Sequence, residues 1–166
     1  MLVIGAGVVG LSVALRLCEF GHRVIILASP QERQASNAAV GILSMKGMRP
    51  TDPWFALKWS EQRLLLGRVC QLEAFAGRVL PKILGVGELV EDVQHYRYLR
   101  RRVFRNELSG CFLTSLSGKG GLQAMFSYPG DFWVPPEGYL GLLEFVLRRH
   151  GCQIIRAHVQ SVSTSP

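Results

Sequence analysis

The segment "VIGAGVVGL", residues 3 to 11, constrains this chain more tightly than any other feature of its 166 residues. Leu2, Val3 and Ile4 form a short apolar run of the kind that builds a buried parallel strand. The run stops at Gly5, and Gly5, Gly7 and Gly10 then stand in the spacing G-x-G-x-x-G. Each glycine answers a separate physical need. Gly5 permits a tight turn from strand to helix, and Gly7 lets the backbone approach a diphosphate with no Cβ in the way. Gly10 lets the helix pack closely on the sheet. The free N–H groups and the positive end of the helix dipole then face the diphosphate. Between Val8 and Phe20 the apolar residues Val9, Val13, Leu17 and Phe20 recur at helical spacing, and Gly21 ends the helix. Val24 to Leu27 is a second apolar run, β-branched and too short for a helix. The sequence thus predicts a β–α–β unit with a right-handed crossover and two parallel strands. The alternative is an α/β turn of the same shape that binds nothing.

Which dinucleotide such a unit holds turns on the end of its second strand. That position usually carries an acid, which accepts hydrogen bonds from ribose hydroxyls. Here it is Ala28, which cannot accept them through its side chain, and this weighs against NAD. A basic residue next in line would suit NADP, but Ser29 and Pro30 follow. Ser29 can itself hydrogen-bond a ribose hydroxyl.

The stretch "ASNAAVGILS", residues 35 to 44, is small and polar. Ser36 and Asn37 offer side-chain donors, while Ala38, Ala39 and Gly41 keep the backbone close to a bulky planar ligand. An ordinary flexible loop is the competing reading. Asp52 followed by Pro53 marks a helix start, and the helix runs from Trp54 to about Ala76, where Gly77 stops it. Its inward stripe is expected at Leu57, Leu64, Leu65, Val69, Leu72 and Phe75. Residues 83 to 130 read as strand-like pieces broken by glycines. "DFWVPPEGYLGLLEFVLRRHG" reads as a short strand, a proline turn and a helix from Gly138 to His150. "CQIIRAHVQSVS" supplies one or two further strands.

The formal net charge is +7, from 19 Lys and Arg against 12 Asp and Glu, and much of it lies in "HYRYLRRRVFRNE", His95 to Glu107. Basic residues alternating with aromatic and aliphatic ones can form an RNA-binding strand. They can equally form a strand or strand–turn with one solvated basic face. No nucleic-acid motif surrounds the run, so the solvated face is expected and no nucleic acid partner. Cys18, Cys70, Cys111 and Cys152 stand far apart with no CxxC or Cys/His ligand spacing, so neither zinc nor a redox dithiol is expected. Reduced cysteines fit a cytoplasmic protein. The N-terminus lacks a basic n-region and Arg16 interrupts its apolar run, so neither a signal peptide nor a transmembrane segment is expected.

From "ASNAAVGILS" onward the chain resembles FAD-dependent oxidoreductases of the D-amino-acid oxidase family, and among them the glycine oxidase and small-amine oxidase branch. The likeness continues through "DPWFALKWSEQRLLLGRVCQLEAFAG" and resumes at "GDFWVPPEGYLGLLEFVLRRHGCQIIRAHVQSV", with only loose similarity from about 85 to 125. It implies an α/β fold: a Rossmann-like FAD-binding βαβ unit joined to part of an α+β substrate domain. The implied division is residues 1–45 for the FAD-binding unit and flavin loop, 46–136 for the partial substrate domain, and 137–166 for the return to the FAD-binding domain. It implies FAD as cofactor, with contacts at Val8 and Val9 beside the three glycines and at Ala28 and Ser29. Ala35, Ser36, Val40, Gly41 and Ile42 follow, and Val159 meets the adenine through its backbone. Most members carry Glu at the Ala28 position and some carry alanine, so Ala28 speaks against NAD more than against FAD.

The implied activity is oxidation of a small amino acid or amine. The family's enzymes are roughly twice this length. Their Tyr and Arg for the substrate carboxylate, and the strand completing the FAD domain, would lie beyond Pro166. The resemblance therefore implies an N-terminal portion, with a partner chain or a missing C-terminal half, and assigns no catalytic residue within the 166. None of His22, His95, His150 and His158 has an acid/base partner evident in the sequence, and His150 sits favourably at a helix C-terminus. A non-catalytic remnant or nucleotide-binding module is the alternative.

Overall fold

The computed structural model describes residues 1–30, 36, 39–44, 51–90, 92–105, 112–118 and 121–163, with the backbone alone for 112–118 and 121–123. In chain order the elements are β1 (Leu2–Ile4), α1 (Val8–Glu19), β2 (Ile25–Ala28), β3 (Ile42–Leu43), α2 (Phe55–Ala76), β4 (Ile83–Val90), α3 (Val93–Phe104), β5 (Phe112–Gly118), β6 (Gly121–Trp133), α4 (Pro136–Arg149) and β7 (Gln153–Arg156). They fall into two compact units. One contains residues 1–41, 69–80 and 135–166, the other residues 42–68 and 81–134, and α2 runs from the second into the first.

The first unit holds the expected β–α–β arrangement. β1 pairs parallel with β2, Leu2 opposite Ile25 and Ile4 opposite Leu27, and β7 pairs parallel with the other edge of β2. The strand order is β1–β2–β7, which leaves β1 at an edge among the described residues. Side chains alternate across each strand. Ile26 and Ala28 therefore enter one core, with Val3 and Ile154 packed against it, where α1 and α4 supply Leu11, Leu15, Leu143, Val146 and Leu147. Burying each such side chain contributes roughly 1.5–3 kcal/mol, and that burial holds the helices on this face. On the opposite face Leu2, Ile4, Ile25 and Ile155 are exposed.

Spacing places α1 and α2 well but chooses their inner faces poorly. α1 begins at Val8 as expected, yet Val9, Val13 and Phe20 are exposed and the buried residues are Leu11, Ala14 and Leu15. Nearly every position of this helix is apolar or small, so periodicity cannot say which side meets the sheet. In α2 the expected stripe is corrected. Val69 and Leu72 are buried and Leu65 is half-buried, but Leu57, Leu64 and Phe75 are exposed. The polar Gln62 and Glu73 take buried positions there instead, each held by hydrogen bonds. Asp52 caps the helix as its sequence predicts, its carboxylate accepting the Trp54 N–H at 2.9 Å.

The second unit is built on an antiparallel sheet, β3–β6–β4, with β5 also on β6. A further correction falls here. The arginine-rich run is the helix α3, not a strand, and it interrupts the strand-like pieces expected across 83 to 130. Asp92 caps it, its carboxylate accepting the His95 N–H at 2.7 Å. Leu99 is buried with Phe126 and Tyr128 of β6, and Val90 and Val103 pack on that cluster. The alternation of basic and apolar residues had suggested period two. A period of 3.6 satisfies the same residues by gathering Leu99, Arg102 and Val103 inward. The three arginines 100–102 accordingly do not alternate faces as on a strand: Arg102 is buried, while Arg100 and Arg101 are exposed. The final segment forms one strand, β7, with Val159 beyond its end.

Candidate dinucleotide site

The glycine turn connects β1 to α1 at the carboxyl end of the parallel sheet, where such sheets bind ligands. Gly5 adopts φ +102°, open to glycine and strained for any other residue, and its N–H donates to the Leu27 carbonyl at 2.8 Å. A Cβ on Gly10 would lie 2.0 Å from the Gly5 carbonyl oxygen. Gly10 thus lets the helix approach the backbone just past β1, with Val3 Cγ1 of the strand itself 3.6 Å from that Cβ. A Cβ on Gly7 would lie 3.0 Å from Ser36 Oγ. The space that Gly7 leaves is thus shared with a serine hydroxyl from the small-residue stretch.

Ser36 joins that stretch to the turn. Its hydroxyl oxygen accepts the Val8 N–H at 3.1 Å, which leaves its own proton to donate to an anion. Gly7 is the N-cap of α1 and offers no side-chain cap, and no acid stands in the first turn. The first intrahelical acceptor is the Gly7 carbonyl, which takes the Leu11 N–H at 3.0 Å. The Val9 and Gly10 N–H groups precede it and have no intrahelical acceptor. An uncompensated positive helix end with donors from Val9, Gly10 and Ser36 is suited to a diphosphate.

The other expected contacts sit at the neighbouring strand ends. Ala28 is fully buried in the core, and its carbonyl accepts the Ala157 N–H at 2.9 Å. Ser29 is half-buried just past β2, and Val159 is half-buried three residues past β7. The turn, Ser29 and the Ala157–Val159 segment therefore lie beyond the carboxyl ends of three adjacent parallel strands. Val40 is exposed, Gly41 turns the chain at φ +79°, and Ile42 opens β3 opposite Trp133 of β6. Ala35, Asn37 and Ala38 lie outside the described residues.

Two polar clusters in the second unit escape the sequence reading. The buried Asp131 carboxylate accepts hydrogen bonds from the Ser44 hydroxyl and from Gln62 Nε2, the latter at 3.0 Å. Gln62 Nε2 also donates to the Leu43 carbonyl at 2.8 Å, so Asp131 and Gln62 anchor the chain just after Gly41 and Ile42. Glu88 stands 3.4 Å from His95 Nε2, and its other oxygen accepts the Tyr128 hydroxyl at 3.0 Å. Residues 40 and 87 apart in sequence meet in these clusters, a separation at which no local pattern signals contact. His150 closes α4 as expected, and its ring also stacks on Phe75 with centroids 5.4 Å apart. Among the described residues no group of His, Cys, Asp and Glu could hold a metal ion, and no helix is long and apolar enough to cross a membrane.

Solved structures share this fold. A glycine oxidase from Bacillus cereus superposes with a TM-score of 0.81 at 20% identity, covering 99% of this chain and 49% of its own. An iminodiacetate oxidase from Chelativorans sp. gives 0.77 at 22% identity, covering 95% of this chain and 46% of the other. A glycine oxidase from Geobacillus kaustophilus gives 0.76 at 20% identity, covering 93% and 45%. The chain thus spans about half the length of these solved relatives. The family profile described as FAD dependent oxidoreductase matches residues 1–165. With the glycine turn, the parallel strand ends and this match over nearly its whole length, the chain belongs to the DAO family of FAD-dependent oxidoreductases.

Proposed function

We propose that this chain is the FAD-binding N-terminal portion of an enzyme that oxidises a small amino acid or amine, in the manner of glycine oxidase. The observation that carries the reading is the α1 N-terminus, where Gly7 offers no side-chain cap and Ser36 Oγ accepts the Val8 N–H beside the first turn. These residues fit the diphosphate of FAD. Val9, Gly10 and Ser36 would hold it, and Ser29 and the Val159 backbone would hold the adenosine end. Ala28 would contribute through its backbone, because its methyl group belongs to the core. Val40, Gly41 and Ile42, with Ala35, would line the flavin. Residues 1–45 and 137–166 would do the cofactor binding, and residues 46–136 would contact substrate. Bound FAD would supply the hydride acceptor. The chain's own residues would orient the cofactor.

The remainder of the fold is proposed to come from a further segment or a partner chain. Parallel sheets are ordinarily covered on both faces. Here Leu2, Ile4, Ile25 and Ile155 are exposed on one face beside the edge strand β1, which supports a covering element at that place. The donors for a substrate carboxylate belong to that segment, and a cytoplasmic location belongs to the same proposal. A peroxide or dye-reduction assay of the 166-residue chain with glycine, sarcosine and D-amino acids, with and without FAD, tests it. Flavin retained without turnover is expected; robust turnover would place the substrate donors within these residues and overturn the proposed division. A module that binds the nucleotide and never turns over is the second reading. Turnover after supplying the remaining half separates the two.

A further inference from the structure

We propose that the outward face of α3 docks on an anionic phospholipid surface. Along the helix Val93, Arg97, Arg100, Arg101 and Phe104 recur at spacings of three and four, so they share one side. All are exposed, and Phe104 is 91% exposed. Arg97, Arg100, Arg101, Phe104 and Arg105 line an open concavity of about 580 Å³. α3 itself contains no Asp or Glu, and among the described residues no carboxylate forms an ion pair with Arg97, Arg100 or Arg101.

Folding does not explain this face. The opposite side of α3 supplies the burial, through Leu99 and Val103 against Phe126, Tyr128 and Val90, with Arg102 also buried. The outward arginines repel one another at i, i+3 and i, i+4 spacings, which works against the helix unless an anion compensates. Guanidinium groups bind phosphate through paired, in-plane donors, and each basic side chain near an anionic leaflet strengthens attachment. Phe104 stands amid these charges as an aromatic ring with no packing partner from the core, the type of side chain that enters the headgroup boundary. Charge complementarity therefore selects an anionic partner, and the protruding ring selects a layer it can enter. RNA is the weaker match. Base stacking needs a row of aromatic platforms, whereas the helix's other rings flank this face rather than share it: Tyr96 is half-buried, and Tyr98 lies beneath the Arg102 guanidinium.

Flotation of the purified chain with vesicles tests the assignment. One set is pure phosphatidylcholine, and the other adds phosphatidylglycerol to about one third; a single-stranded RNA homopolymer serves as the competing polyanion. The account expects binding to the anionic vesicles only, weakened by added salt. Arg100→Gln with Arg101→Gln should lower the partition coefficient by about 25-fold, from roughly fivefold per basic residue. Phe104→Ser should lower vesicle binding while leaving any RNA retention unchanged. Circular dichroism confirms that the variants remain folded, and Arg97→Gln, also on the outward face, serves if the double variant does not. Equal binding to neutral vesicles, no binding to either, or RNA outcompeting the vesicles would each overturn the proposal.

Discussion

At the scale of single residues, the glycine turn separates packing from binding. Gly10→Ala places a methyl group 2.0 Å from the Gly5 carbonyl, backbone against backbone, so the turn must distort. The expected loss is about 3 kcal/mol of stability, at the upper end of the cost of overpacking, read by chemical denaturation. Gly7→Ala meets only the Ser36 hydroxyl, at 3.0 Å, which can move at the expense of its bond from Val8. Its cost should appear in FAD affinity, about 1–3 kcal/mol, with Ser36→Ala near 1 kcal/mol, both read by flavin fluorescence titration. Equal affinity of wild type and Gly7→Ala would show that the turn does not hold the diphosphate. Asp131 makes the corresponding prediction for the second unit. Asp131→Ala leaves Gln62 and Ser44 without their buried acceptor, and should cost about 1–3 kcal/mol in the same denaturation experiment.

At the scale of elements, the junction of α1 with the start of β7 carries a pH signature. Burial, with the neighbouring Cys18 adding to it, pushes the Cys152 thiol up to about 11 from an ordinary 9.0. Burial likewise raises Cys18. The folded chain holds these protons more tightly than the unfolded chain. The stability they contribute is present in full below pH 9 and is lost as pH rises toward about 11. Alkylation kinetics should show the exposed Cys70 reacting at pH 8 while Cys152 stays protected; equal rates would contradict that burial. Elements differed in how openly the sequence declared them. The β–α–β unit was legible because three glycines, two short apolar runs and a helix of fixed length all enforce one geometry. α3 was not, because basic and apolar residues mixed over twelve positions satisfy a strand face as well as a helix face, and the choice was made by Phe126 and Tyr128. The inner faces of α1 and α2 were illegible for a related reason: too many positions were apolar for periodicity to choose among them. Ser36 was legible as a polar residue near the cofactor loop, but its bond to Val8 joins residues 28 apart in sequence, which no local pattern specifies.

At the scale of the whole molecule, the proposal is a cofactor cradle that forms one part of a larger fold. The parallel sheet covered on one face, the apolar residues on its other face, and a match to about half of each solved relative belong together. An exposed edge strand such as β1 recruits further chains, so the purified protein should associate as its concentration rises, seen by light scattering. A strictly monomeric chain at high concentration would argue that the edge is already protected. The central claim is that this cradle takes FAD, despite an alanine where a ribose-binding acid usually stands. The most direct measurement is a thermal unfolding series of the purified chain with FAD, NADH and NADPH at matched concentrations. The account predicts that FAD raises the midpoint, with flavin fluorescence changing in parallel, while the nicotinamide nucleotides leave it nearly unmoved. A larger rise with NADH, or no rise with any of the three, would contradict it.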